Sequence, residues 1–169
     1  MSELLNLRAE KDAFFLNDPY SPLTEEQKLT FQHLEYFPEN EALRLEVTVK
    51  RLDEDDFVQM QTNTSETRPF ERYGTFSFSV EGVPVELTIF RSLDGFFLPF
   101  ADALAGKETY GAGRYIEPEE LPDGRFLVDF NLAYNPYCAY NDRWTCPLTP
   151  AENRIPVPLR AGEKRFHSH

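Results

Sequence analysis

The chain reads as a mainly β fold of the β-rich α+β class, and three observations predict it. From Leu43 onward short apolar runs alternate with polar residues at a period of two, the spacing of half-buried strands. Thirteen prolines and eight glycines punctuate the runs, which suits many turns better than a helix bundle. Helical spacing is confined to the first 40 residues. The expected architecture is an antiparallel curved sheet or an up-and-down β-barrel, preceded by N-terminal helices and closed by an irregular C-terminal cover.

Residues 3–16 carry Leu4, Leu7, Phe14 and Phe15 near one helical stripe, and Asn17-Asp18-Pro19 stops that helix. Thr24 and Gln27 have capping-box spacing and open a second helix. Leu29, Phe31 and Leu34 would dock it, and Tyr36-Phe37-Pro38 ends it. Leu43, Leu45, Val47 and Val49 then alternate with polar residues as the first strand. Asp53 to Asp56 forms a turn, and a strand near 57–63 follows. Phe76, Phe78 and Val80 form the next strand, Glu81-Gly82 turns the chain, and Val85, Leu87 and Ile89 return it. Phe96 to Phe100, Arg114 to Glu117 and Gly124 to Asn131 are further strands, the last two linked by the turn Pro118 to Gly124. Consecutive strands are expected to pair with one another. One domain of 169 residues is expected: 1–40 helical, 41–131 sheet or barrel, 132–169 cover.

The net charge of −12 repels phosphate backbones, and the basic residues are scattered, so neither nucleic acid nor an anionic membrane surface is an expected partner. No apolar stretch approaches the roughly 20 residues needed to cross a bilayer. The N-terminus carries acidic residues early and lacks an apolar centre, so a cytoplasmic location is the default expectation. The terminal Phe166-His167-Ser168-His169 is either natural or a tag remnant.

Polar, aromatic and glycine residues concentrate between Gly106 and Lys164. On the strand 126–131, Phe126, Val128 and Phe130 would face one side and Leu127, Asp129 and Asn131 the other. In Tyr110-Gly111-Ala112-Gly113-Arg114 the glycines permit close backbone approach or positive φ, and the arginine offers a bidentate fork. The alternative is a bulge in which Arg114 pairs with Asp129 or Glu108. Cys138 and Cys146 lack a nearby histidine, which argues against a zinc site; they are buried thiols, a disulfide or a nucleophile in need of a base. Tyr134, Tyr137, Tyr140 and Trp144 either stack on a planar ligand or anchor the cover. Asn153-Arg154 and Glu163-Lys164 are the remaining polar pairs.

The order Glu-Thr-Tyr-Gly-Ala-Gly-Arg-Tyr (108–115), Asp-Phe-Asn (129–131), Ala-Tyr-Asn-Pro-x-Cys-Ala-Tyr (133–140), Cys-Pro-Leu-x-Pro-x-x-Asn-Arg (146–154) and Ala-Gly-Glu-Lys (161–164) resembles a family of uncharacterised bacterial and archaeal proteins. Lys11 to Phe15, Ser21-Pro22-Leu23 and Tyr36-Phe37-Pro38 extend the resemblance over nearly the whole chain. The family is known as a conserved domain of unknown function. The resemblance implies a polar site around those motifs and no particular reaction.

Three functions remain open at this level. The first is a module binding a small anionic or planar molecule in a barrel or sheet pocket. Its ligand-binding residues would be drawn from Tyr110, Arg114, Asp129, Asn131, Tyr134, Asn135, Cys138, Tyr140, Asn153, Arg154 and Lys164. The second is a hydrolase or isomerase with Asp129 or Glu108 as base, Tyr110 or Tyr134 as acid and Arg114 stabilising an oxyanion. The third is a structural or interaction protein in which the polar motifs fasten the tail. No metal site is expected; cofactor and oligomeric state are undetermined.

Overall fold

The computed structural model describes residues 2–53 and 56–167. The predicted turn at 53–56 and the terminal Ser168-His169 therefore fall partly outside the described residues. The architecture is mainly β, with nine strands in two antiparallel sheets among the described residues.

Helix α1 (Glu3–Asn17) starts at Ser2, whose hydroxyl accepts from the Leu5 amide. Its apolar stripe is shallow: Phe15 is buried, but Leu7 stays exposed. Polar contacts dock it instead. Lys11 meets Glu163, Arg8 donates to the Phe37 carbonyl, and Asp12 accepts from the Leu34 amide. Helix α2 (Glu25–Lys28) has both bonds of the predicted Thr24/Gln27 capping box but only one turn. The expected continuation to Tyr36 does not form. Leu29 points into solvent, while Leu34, with Phe31 partly buried beside it, joins Phe15, Leu23 and Tyr140 in a small cluster.

Strands β1 (Arg44–Val47), β2 (Lys50–Arg51), β3 (Phe57–Gln61), β4 (Thr67–Val80), β5 (Val83–Ser92), β6 (Gly95–Phe100), β7 (Arg114–Ile116), β8 (Glu119–Glu120) and β9 (Phe126–Asp129) follow. The larger sheet runs β2-β4-β5-β6-β7, and β3 also pairs with β4. The hairpin of β4 and β5 places Phe76 opposite Leu87 and Phe78 opposite Val85. Glu81 and Gly82 turn it with φ of 51° and 80°. Positive φ at both central residues is the tight hairpin geometry whose twist matches the strands.

The second sheet, β1-β9-β8, corrects the expected sequential pairing. Strand β1 pairs with β9, far away in sequence, through Arg44 opposite Asp129 to Val47 opposite Phe126. The single turn expected between the last two strands contains a further strand, β8. No barrel closes. Strand β7 is three residues long, and beyond Glu117 comes Pro118, which has no N–H to extend a ladder. The outer edge of β7 is instead taken by the cover, where Tyr115 and Tyr134 exchange backbone bonds of 2.8 and 3.0 Å.

The main core lies between the sheets. Phe76, Leu87, Ile89, Leu98 and Phe100 face Val47, Phe126, Val128 and Phe130, and the cover adds Ile155, Val157, Leu159 and Ala161. Among the described residues, no helix is long and apolar enough to cross a membrane.

Leu87 is fully buried at the centre of this layer. Leu87→Ala is expected to destabilise the protein by about 2–5 kcal/mol, the usual cost of a core leucine deletion. A lower urea midpoint at unchanged denaturant slope is the readout.

Candidate functional site

Two buried charged groups fasten the cover, Arg114 to the sheet and Glu163 to helix α1. Arg114 is 1% exposed. Its guanidinium donates to the carbonyls of Leu159, Ala161 and Glu163 and lies 3.8 Å from Asp102. Asp102 in turn accepts from the Leu159 amide at 2.6 Å. Burial lowers the Arg114 pKa, opposed by the nearby carboxylates of Asp102 and Glu163. The partner is thus Asp102 rather than Asp129 or Glu108. Gly113 permits this placement: its φ is +109°, and a Cβ there would sit 2.6 Å from the Phe100 carbonyl.

Glu163 is fully buried. Its carboxylate accepts from Lys11, from the Tyr140 hydroxyl at 2.7 Å and from the Asn135 amide at 3.0 Å. Burial, with the Glu163 charge second, raises the Tyr140 hydroxyl far above the usual phenol range. Asn153 accepts from the Thr88 amide and donates to the carbonyls of Thr88 and Pro99, each at 2.8 Å. Asn131 does the same for Asn40, accepting at 2.8 Å and donating at 2.9 Å. Both amides act as surrogate peptide groups at places where strands end.

The other predicted residues are dispersed. Asp129 caps the turn of Asn131 and lies 3.9 Å from Arg44. Glu108 pairs with Arg160 on the surface at 2.6 Å. Lys164 lies over the Phe37 ring, its ammonium 5.0 Å from the centroid. Arg154 is exposed, and its backbone runs beside Ala101. Asp129, Glu108 and Tyr110 do not converge on one point. Asp129 belongs to the β1/β9 edge, Glu108 pairs with Arg160, and Tyr110 faces Cys138.

An aromatic groove lies beside this network. One cavity of about 530 Å³ is lined by Tyr115, Tyr134, Tyr137, Trp144, Lys11 and Arg68, among others. A second, of about 450 Å³, adjoins it and shares Arg68, Tyr115, Glu117, Tyr134 and Pro147. The rings are fixed. Tyr115 and Tyr134 pack edge to face at 5.8 Å, as do Tyr137 and Trp144 at 5.2 Å. Tyr115 donates to the Pro147 carbonyl, Tyr134 to Glu117 at 2.8 Å, and the Trp144 indole to the Pro22 carbonyl at 3.0 Å. Burial above all pushes the Tyr115 and Tyr134 hydroxyls upward, so both stay protonated.

Of the predicted binding residues, Tyr134 and Asn135 line this groove. Arg68, Tyr115 and Glu117 were not singled out from sequence. Tyr115 follows Arg114 in the same motif, and only the fold separates the residue that faces buried carbonyls from the one that lines the groove. Arg68 reaches the groove because the β3/β4 hairpin brings it to the Thr145 carbonyl, at 3.0 Å. Nothing in the local sequence signals that approach.

Cys138 and Cys146 are free thiols beside the groove. Tyr110 hydrogen-bonds Cys138 at 3.6 Å. The two thiols influence each other's titration. Contact with Cys138 above all, opposed by burial and aided by the backbone amides of Cys138 and Tyr137, lowers the Cys146 thiol. Cys138 is pushed up by the same contact and by burial. Among the described residues, no cluster of three or more metal-ligating side chains exists.

Glu163→Gln places an amide where three donors converge. It is expected to destabilise by about 3–5 kcal/mol, as when a buried ion pair loses one partner. Asp129→Asn keeps its capping oxygen and should change stability by about 1 kcal/mol or less. Parallel urea titrations check both; a smaller loss at Glu163 than at Asp129 contradicts this account of the network.

No curated protein matches the chain. A solved structure does: an uncharacterised protein from Haloarcula marismortui, determined in solution by NMR, is similar over 99% of this chain and 95% of its own. The two share 35% identity and superpose with a TM-score of 0.73. Residues 29–164 match the model of a family described as "Protein of unknown function (DUF1684)", and the chain belongs to that family.

Proposed function

We propose that the protein binds a small planar molecule carrying an anionic group, held in the aromatic groove. The observation that carries this reading is the wall shared by the two adjoining cavities, which joins Arg68 to Tyr115, Tyr134 and Pro147. Volumes of several hundred Å³ with apolar walls and a few placed polar groups suit a small ligand. The rings of Tyr134, Tyr137 and Trp144 offer faces and edges for stacking. Arg68 supplies the charge, with an exposed fork that matches a carboxylate or phosphate. Lys11 lines the same space, its charge balanced by Glu163.

This reading moves the anion contact from Arg114, whose donors face buried carbonyls, to Arg68. Asp129, Glu108 and Tyr110 lie apart, and so binding is favoured over the hydrolase or isomerase reading.

Native mass spectrometry of freshly purified protein is expected to show extra mass that is lost on denaturation. Trp144 is the chain's only tryptophan, so its fluorescence reports ligand entry directly. Aromatic carboxylates should quench it saturably, and Arg68→Ala should weaken that binding about tenfold, the loss of one charge-assisted contact. A bare polypeptide mass together with no saturable response to aromatic carboxylates or phosphates sinks the proposal.

A further inference from the structure

Helix α1 carries Arg8 and Lys11 at a spacing that makes them neighbours on its surface, yet their surroundings differ. Lys11 is paired with Glu163. Arg8 uses only one of its nitrogens: Nη1 donates to the Phe37 carbonyl at 3.1 Å. Its Nε and Nη2 are buried and, among the described residues, have no hydrogen-bond partner. Those two N–H groups share one edge of the guanidinium plane and point the same way, the side-on fork that takes both oxygens of a carboxylate. The Tyr36 hydroxyl is a third buried group without a partner. The Arg8 guanidinium lies over the ring of the same Tyr36, 4.3 Å from its centroid. A buried donor left unpaired is costly, so three in one place point to an acceptor that the chain itself does not supply.

A cavity of about 70 Å³ lies against these groups, lined by Arg8, Lys11, Tyr36, Asn131, Leu132 and Tyr134, among others. A single water needs about 10–15 Å³ of such space, and a drug-sized ligand roughly 300 Å³ or more. The cavity is thus larger than one water requires and too small for a ring system of the kind the groove would take. We propose that it is a binding site for a small planar oxyanion of the carboxylate type, such as formate, acetate or bicarbonate. Arg8 holds two of its oxygens through Nε and Nη2, the Tyr36 hydroxyl donates a further hydrogen bond, and Lys11 adds positive charge to the wall.

The surroundings select the class of ligand. A guanidinium keeps its charge in a protein, and among the described residues no carboxylate forms an ion pair with Arg8. Glu163 and Asp129 belong to other partners, Glu163 to Lys11 and Asp129 to Arg44 and Asn131. The Asn131 side chain is occupied as well, by Asn40 and Asp129, so it does not compete for the fork. Burial first, then the Glu163 charge, raises the Tyr36 hydroxyl, which therefore stays protonated and able to donate. Two parallel N–H groups match two oxygens of one planar anion, whereas a halide presents a single atom to them. The site does not rest on the groove reading, although Lys11 and Tyr134 border both cavities.

The test follows the Arg8 Nε–H resonance in proton–nitrogen correlation spectra of the full-length protein at neutral pH, assigned through its own side-chain couplings. Sodium formate is expected to shift that resonance saturably, with a midpoint in the millimolar range, and sodium chloride at equal ionic strength should leave it in place. Trp144 fluorescence, which reads the groove, should not respond to formate. Arg8→Lys keeps the charge and loses the fork, so the formate affinity measured by calorimetry should fall about tenfold. No movement of the Arg8 resonance with formate, acetate or bicarbonate leaves ordered water as the partner and overturns the site. Equal movement with chloride overturns the preference for an oxyanion. A formate response confined to Trp144 puts the anion in the groove instead. The wild-type spectra decide the matter even where Arg8→Lys fails to fold.

Discussion

A fully buried carboxylate, that of Glu163, organises this protein. An ionised group in the interior is costly unless opposite charge and hydrogen-bond donors surround it. Those partners come from distant parts of the chain: Lys11 from the N-terminal helix, Asn135 and Tyr140 from the start of the cover. The backbone of the same residue accepts from Arg114 and pairs with Tyr36. Asp102 balances Arg114 nearby, so three buried charges and the half-buried Lys11 stand in connected contact. Such a network adds little net stability compared with an apolar core of the same volume. What it supplies here is register, because the tail satisfies these groups only when Leu159, Ala161 and Glu163 lie in one particular place.

That constraint shapes the surface. The polar motifs of the last third are turned inward as fasteners, and their aromatic neighbours are left to line the outside of the same segment. Tyr134 and Asn135 are adjacent in sequence yet play different parts. Asn135 donates to Glu163 and Lys164, while Tyr134 pairs with the edge of β7 and shows its ring to the groove. The groove is therefore a by-product of how the cover is anchored. Of the two thiols, Cys146 is buried and lines the groove, while Cys138 is partly exposed and meets the Tyr110 hydroxyl.

Much of the fold was legible locally. The capping box at Thr24, the Glu81-Gly82 turn and the alternation in β4 and β5 each depend on residues a few positions apart, and each stands as expected. The length of α2 and the partner of β1 were not legible. Leu29 and Leu34 have the composition of a helix face, but burying Leu34 beside Phe15 draws the chain out of the helix. β1 and β9 are joined by backbone pairing across about 80 positions, a choice no short window contains.

By itself the sequence determined the β-rich class, the two N-terminal helices, the strand-to-turn rhythm and the segment in which unusual polar residues gather. These follow from periodicity and turn chemistry, which act between near neighbours. Only the tertiary structure decided which way those polar residues face. Arginine, asparagine and glutamate in a motif are equally suited to hold a ligand or to satisfy a buried carbonyl, and the outcome depends on the segment packed above them. In this chain Leu159, Ala161 and Glu163 lie above Arg114, so its fork points inward. The exposed cation of the groove comes instead from Arg68, brought there by a hairpin some 50 positions earlier in the chain than the Tyr115–Tyr134 wall.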